Sequence, residues 1–411
     1  MTTGRSTLHK KTDFDPLFLL NDVDPFAYYQ RQRHQHGNVI YCERFQGYFV
    51  LGYKEIQQLT RDDSLAADVS ESIVNSTFPI KRRTEILPLI TLFKSWLFYA
   101  DPPYHTQLRK RLLPLFDQEN VNAILSVLSD STKTLFENLP AGKIDFMPTL
   151  ANEMMIQFLV TWLGLPEQTT RTLSREMRHI EKFMMALVRT PDIFEPALQA
   201  LNRFREMANE LIDEHLLSPK LQTILQSVLQ DHLFRKKELW MLFAFLLGAG
   251  SDTIRGMLGN TMLAFCLHPR IWTQLVGNST LLSQAIDEAL RYFPTVHMIG
   301  HVAKKTIILP QVTVQPGEYI YLCLAGANRD PAVYENPDEM SLARSPESTA
   351  AHLSFGYGFH MCLGRMMAKK IALQFFQKWF AHFPKTAFID YQPNKVEGLV
   401  IRMPEKLLLQ I

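Results

Sequence analysis

The longest helical pattern in this 411-residue chain runs from about Lys236 to Leu267, where His268-Pro269 stops it. At about 30 residues it is well above the usual helix length. Such a helix crosses a whole core, so the rest of the fold has to be built around it. Amphipathic runs precede it in HTQLRKRLLPLF, LANEMMIQFLVTWLGL and LNRFREMANELIDEHLL, broken by proline or polar turns. Helix therefore dominates from about Pro102 to Leu290.

The flanks read differently. From Asn38 to Tyr53, NVIYCERFQGYFVLGY gives two short β-branched and aromatic runs around a polar turn, a β-hairpin pattern. Beyond Pro294 the period becomes strand-like in TIILPQVTVQPGEYIYLCLAG, then irregular in ANRDPAVYENPDEM, before a helix expected from Cys362 to about Phe383. With no repeat, Gly/Ser linker or shift in composition, the expectation is one domain over 1–411, mainly α with small β-sheets.

Composition excludes more than it selects. A formal net charge of +2 draws the chain to no nucleic acid. Cys42, Cys266, Cys323 and Cys362 stand far apart, without zinc spacing or a disulfide framework, which fits a reducing cytoplasm. Neither a signal peptide nor a run of about 18 uncharged apolar residues is seen. A soluble cytoplasmic protein without a membrane anchor is expected.

One cysteine has unusual company, in Phe355-Gly-Tyr-Gly-Phe-His-Met-Cys-Leu-Gly364. A buried thiolate is a soft ligand for iron and needs hydrogen-bond donors or positive potential around the sulfur. Gly356 and Gly358 permit backbone angles barred to other residues, and Cys362 at a helix start would receive main-chain N–H groups and the positive helix end. A structural cysteine beside a glycine turn is the other reading of the residues alone.

The ten-residue pattern resembles the haem-binding loop of the cytochrome P-450 superfamily. That resemblance implies a P-450 fold with a long central helix over a buried haem b, and Cys362 as the proximal iron ligand. Phe355, Gly356, His360 and Gly364 come with the loop, Gly364 leaving room beside the cofactor. Glu288-Ala-Leu-Arg291 is similar to the family's Glu-x-x-Arg, closed into a structural network by Asn328-Arg-Asp-Pro331, Asn336-Pro-Asp338 and Arg344, although Met340-Ser341 departs from the usual Phe-Asp.

Asp101-Pro-Pro-Tyr-His105 and Arg109 resemble the segment that grips a haem propionate, with His301 where many relatives carry a further arginine. Ala249-Gly-Ser-Asp-Thr253 resembles the oxygen-binding motif, placing Ala249 and Gly250 over the haem and making Asp252 and Thr253 an acid and alcohol pair that relays protons. Taken alone, Gly248 and Gly250 fit close helix packing equally well.

Within the family three uses stand. A monooxygenase acting on a hydrophobic small molecule in secondary metabolism leads. Oxidative coupling, cyclisation or desaturation of a biosynthetic intermediate, carrier-bound or free, comes second, and a non-enzymatic gas sensor third. No flavin- or nicotinamide-binding sequence is visible, so electrons are expected from a ferredoxin or flavodoxin with its reductase. Lys110, Arg111, Arg365, Lys369 and Lys370 are the expected docking cations. Substrate contacts are expected from Trp96, Phe98, Met184, Met185, Phe245, Ala249, Val296, Ile299 and Leu399, with Lys81-Arg-Arg83 hinting at an acidic partner.

Overall fold

The computed structural model describes residues 12–20, 24–61, 63–69, 83–186, 190–393 and 400–411. The helical run Lys236–Leu267 forms its axis and is interrupted at Ser251. Helix Leu239–Gly250 ends there and helix Asp252–Leu267 begins, with Ser251 at φ −80° and ψ −86°. The local cause is legible. Gly248 and Gly250 weaken the last turn, and the Thr253 hydroxyl donates back to the Ala249 carbonyl at 2.7 Å, a bond that competes with the helix ladder.

Both glycines also admit neighbours. A Cβ on Gly250 would meet Phe158, Leu159 and Trp162 of helix Asn152–Leu163 at 3.0, 3.2 and 3.3 Å. On Gly248 it would meet Glu181, Trp96 and Met177, the first at 3.2 Å. This run is long and apolar enough to cross a membrane, yet 72% of its most apolar window is buried by the surrounding helices, as a core helix requires.

Among the described residues, ten strands lie around the helices: β1 Val39–Cys42, β2 Gly47–Val50, β3 Leu65–Ala66, β4 Lys143–Asp145, β5 Ile299–Ala303, β6 Ile307–Leu309, β7 Val312–Val314, β8 Tyr319–Leu322, β9 Ala387–Pro393 and β10 Pro404–Gln410. They form sheets ordered β1-β2-β8-β5-β3, β4-β10-β9 and β6-β7. The expected hairpin is β1 and β2, paired Val39 to Val50 through Cys42 to Gly47. Strand β8 joins β2 in parallel and β5 antiparallel, setting His301 opposite Ile320.

The thiol loop is followed by helix Arg365–His382, capped by Gly364. The helix therefore starts three residues later than the pattern alone indicates. Cys362 stands in the turn before it rather than in its first turn.

Candidate active site

Cys362 is held from both sides of its loop. Its own N–H donates to the Phe355 carbonyl at 2.7 Å, and the N–H groups of Gly364 and Arg365 point at its sulfur. The side chain is accessible, yet surrounding protein pushes the thiol up by burial, against the pull of those N–H groups and of Arg109 and Arg365. A sulfur facing an internal slot has both properties at once.

Two glycines make the loop possible. Gly356 and Gly358 adopt φ +71° and +66°, and a Cβ on Gly358 would lie 1.9 Å from the Thr60 carbonyl oxygen. A Cβ on Gly364 would meet the Phe116 ring at 3.1 Å, so the position is also tight against protein.

The loop is hung from a buried ion pair. Glu288 and Arg291 lie on one face of helix Leu282–Tyr292, and Arg344 donates from Nε to Glu288 Oε1 at 3.1 Å. The Ser341 N–H, in the atypical Met340-Ser341 step, donates to the same oxygen at 2.9 Å. Arg291 also donates to the carbonyls of Asn328, Pro337 and Glu339 at 3.0, 2.8 and 2.9 Å. Asn328 then accepts from the Leu353 N–H at 2.7 Å and donates to Ser354 Oγ at 2.8 Å, immediately before Phe355. This clamp turns a helix ion pair into a position for the thiol, and Asn328's part in it was not visible as more than a segment match.

Three imidazoles gather near the loop. His105 on helix Tyr104–Leu112 packs against His360 at 4.4 Å between ring centroids, and His301 on β5 lies 6.3 Å from His360. Burial holds each down to about 4, so all three are neutral at pH 7. Arg109, one turn past His105, donates to the Met361 carbonyl at 2.9 Å. Both ring nitrogens of His105 and Nδ1 of His301 and His360 are buried without a partner among the described residues. A cleft lined by Leu59, Thr60, Ile299, His301, Lys304 and His360 opens beside them.

At the helix break, Asp252 pairs with Arg255 at 2.8 Å while Thr253 donates to Ala249, so the two side chains do not bond each other. Ala249 is half-buried, whereas a Cβ on Gly250 would face helix Asn152–Leu163, so this glycine also serves close helix packing.

A sequence model of the cytochrome P450 family matches residues 93–409. The chain belongs to the cytochrome P450 family. It is 24% identical over 384 residues to the biotin biosynthesis cytochrome P450 of Bacillus subtilis, covering 90% of this chain and 91% of that one. It is 27% identical over 360 residues to the cytochrome P450 monooxygenase PikC of Streptomyces venezuelae, covering 84% and 81%. The crystal structure of P450BioI in complex with acyl carrier protein ligated to hexadec-9Z-enoic acid matches with a TM-score of 0.85 at 22% identity, over 97% of this chain and all of that one, a likeness of fold.

As a cytochrome P450 the chain is an oxygen-incorporating oxidoreductase with haem b, O2, an organic substrate and a redox partner, which removes the gas sensor. The residues present fit haem. Buried nitrogens without partners are costly; His301 and His360 line the cleft with Lys304, and His105 packs behind His360 with Arg109 one turn on, a set of donors and cations suited to an anion-bearing cofactor edge.

Other expected contacts divide. Trp96 is a core residue at 1% exposure, its ring among Phe93, Phe98 and Phe245, while Phe98 is the exposed member of that cluster. Met184 is buried, Met185 half-buried, and Val296 bridges Ile401. Leu399, Lys81 and Arg82 lie outside the described residues, as does the side chain of Arg83. Among the docking cations, Arg111 is paired with Asp231 and Lys369 with Asp287, the latter at 2.7 Å, so their charge is spent locally. Burial pushes the Asp287 carboxyl up, but His352 and Lys369 outweigh it and hold it low.

Proposed function

We propose that this cytochrome P450 hydroxylates or epoxidises a hydrophobic small molecule of secondary metabolism, using the whole of 1–411 as one haem-thiolate unit in the cytoplasm. Cys362 holds the iron, with Phe355, Gly356 and Gly364 shaping its loop. His105, Arg109, His301 and His360 hold the propionates, the neutral imidazoles by hydrogen bonds and Arg109 by charge. Bound haem supplies activation of O2, favoured by electron density from the thiolate.

The chain's own task on the other side is to manage protons. Thr253 Oγ1 rests on the Ala249 carbonyl, a bond outside the backbone ladder, so it can turn to an ordered water without unwinding the helix. Asp252 exchanges protons with solvent when it leaves Arg255, and Thr253 passes them inward. The broken helix carrying Thr253 on Ala249 is the observation that supports oxygen activation.

Val296, Ile299, Phe98 and the Trp96–Phe245 ring pair give the substrate side its apolar character, to which Leu399 adds. Electrons come from a separate ferredoxin or flavodoxin with its reductase, docking on Lys110, Arg365 and Lys370. Oxidative coupling, cyclisation or desaturation of a carrier-bound intermediate is the second reading, supported by the likeness to P450BioI, whose structure holds an acyl carrier protein.

The test has two stages. Reduced protein exposed to carbon monoxide should show a strongly red-shifted Soret band that Cys362→Ser abolishes. Turnover of candidate apolar substrates under isotopically labelled O2 should then place one labelled oxygen in the product. Products that lose two hydrogens and carry no label would replace the leading reading with the second.

A further inference from the structure

Glu181 is a carboxyl group with no assigned task, on helix Glu167–Met185, at 3% exposure. Its Oε1 lies 3.1 Å from Ser251 Oγ, the residue at which the central helix breaks. Its Oε2 is buried without a partner, and no cation among the described residues forms an ion pair with it. Ser251 Oγ in turn lies 3.0 Å from the Gly248 carbonyl.

The proton count decides the chemistry. A serine hydroxyl has one proton, and the Gly248 carbonyl can only accept. If Glu181 were ionised, Ser251 could serve only one of these two acceptors, leaving a buried charge with at most one hydrogen bond. If Glu181 carries a proton, it donates to Ser251, Ser251 donates to Gly248, and both short contacts are hydrogen bonds.

The charges around it pull both ways, Arg255 and Arg178 lowering the carboxyl and Asp252 raising it, with burial the largest influence. Asp252 and Arg255 face Glu181 from the central helix and Arg178 from its own, but Arg255 is taken by Asp252. Burial first, and Asp252 next, raise the carboxyl well above its ordinary value.

We propose that Glu181 is a neutral carboxylic acid whose O–H, through Ser251 and the Gly248 carbonyl, fixes the break in the central helix and so positions Asp252 and Thr253. It is a positioning residue, and its importance for turnover rests on the proton-handling role given above to Thr253. Its protonation state does not rest on that role. Removing the donor lets Ser251 turn and the break relax, so that reducing equivalents leave as peroxide instead of entering product. Glutamine, a neutral donor of the same shape, should substitute.

The experiment is infrared spectroscopy of the holoprotein at neutral pH, beside peroxide release per electron supplied. Wild type should show a protonated-carboxyl carbonyl band that is missing in Glu181→Gln and shifted in Ser251→Ala. Peroxide release should stay close to wild type in Glu181→Gln and rise about tenfold in Glu181→Leu, less than the roughly hundredfold of a directly lost proton-transfer group because Glu181 acts through Ser251. Absence of any band difference between wild type and Glu181→Gln overturns the proposal, even if no haem-dependent activity is ever measured. Equal peroxide release from the Gln and Leu variants overturns the positioning role while leaving the proton in place.

Discussion

Arg291 and Glu288 meet in a two-armed pair, Nε to Oε2 and Nη2 to Oε1 both at 2.8 Å, with neither side chain exposed. Removing Arg291 leaves the fully buried Glu288 carboxylate with only Arg344 and the Ser341 N–H on one of its oxygens. Arg291→Ala should therefore destabilise the protein by roughly 3–5 kcal/mol, seen as a lower unfolding midpoint and loss of haem on dilution. Arg291→Lys should recover little, because an ammonium cannot serve two carboxylate oxygens and three carbonyls in one plane. Asn328→Ala should loosen the thiol loop while leaving the pair intact, with milder loss of stability and a similar loss of haem.

Thr253→Ala should cost product formation by about a hundredfold if the hydroxyl hands on protons, while reduction by the redox partner is unchanged. Thr253→Ser, which keeps the hydroxyl, should retain most activity. Product yield and peroxide release measured side by side separate proton handling from electron supply.

Glu181 makes stability depend on pH. The folded protein keeps this proton to higher pH than the unfolded chain, whose carboxyl has its ordinary value of 4.5. Folded binds more protons, so the stability linked to Glu181 is fully present below that value and is lost as pH rises towards the raised folded one. Glu181→Gln should match wild type near pH 4 and become the more stable of the two as pH rises, by up to about 1.4 kcal/mol per pH unit. Parallel curves from urea titrations across that range would contradict a buried neutral acid.

Arg365 and Lys369, neighbours on one helix, should separate cleanly. Arg365 is exposed, and Arg365→Glu should slow reduction by an acidic ferredoxin about tenfold at low salt, with the effect fading as salt is added. Lys369→Ala should leave that rate nearly unchanged but lower the unfolding midpoint, since it strands Asp287 against His352.

What the sequence displayed and what it concealed follow from distance along the chain. The thiol loop, the Glu288–Arg291 pair and the glycines of the central helix are compact in sequence, each dictated within about ten residues by backbone angle or helix period. The distortion near Ser251 goes with the motif that Ala249–Thr253 resembles, but the contact between Ser251 and Glu181 was hidden because the two are 70 residues apart. A trace of it existed: Glu181 falls four residues after Met177 and three before Met184, on the apolar stripe with Leu173 and Ile180. A charged residue in that register is a buried acid awaiting a partner. Likewise, only the fold reveals that Lys369 is engaged by Asp287, because a cluster of cations in sequence carries no sign of the carboxylates that meet it.

The parallel pairing of β2 with β8 joins residues 47–50 to 319–322. On a ribosome the hairpin therefore emerges with one bare edge and keeps it until residue 322 has been made. Strand β5, which carries His301, cannot be clamped between β8 and β3 any earlier. The histidine wall of the cofactor cleft thus cannot be complete before residue 322 has been made. Chains released before β8 carry a sticky strand edge and no cofactor, which makes translation arrest in this interval a route to aggregation instead of a route to a smaller working enzyme.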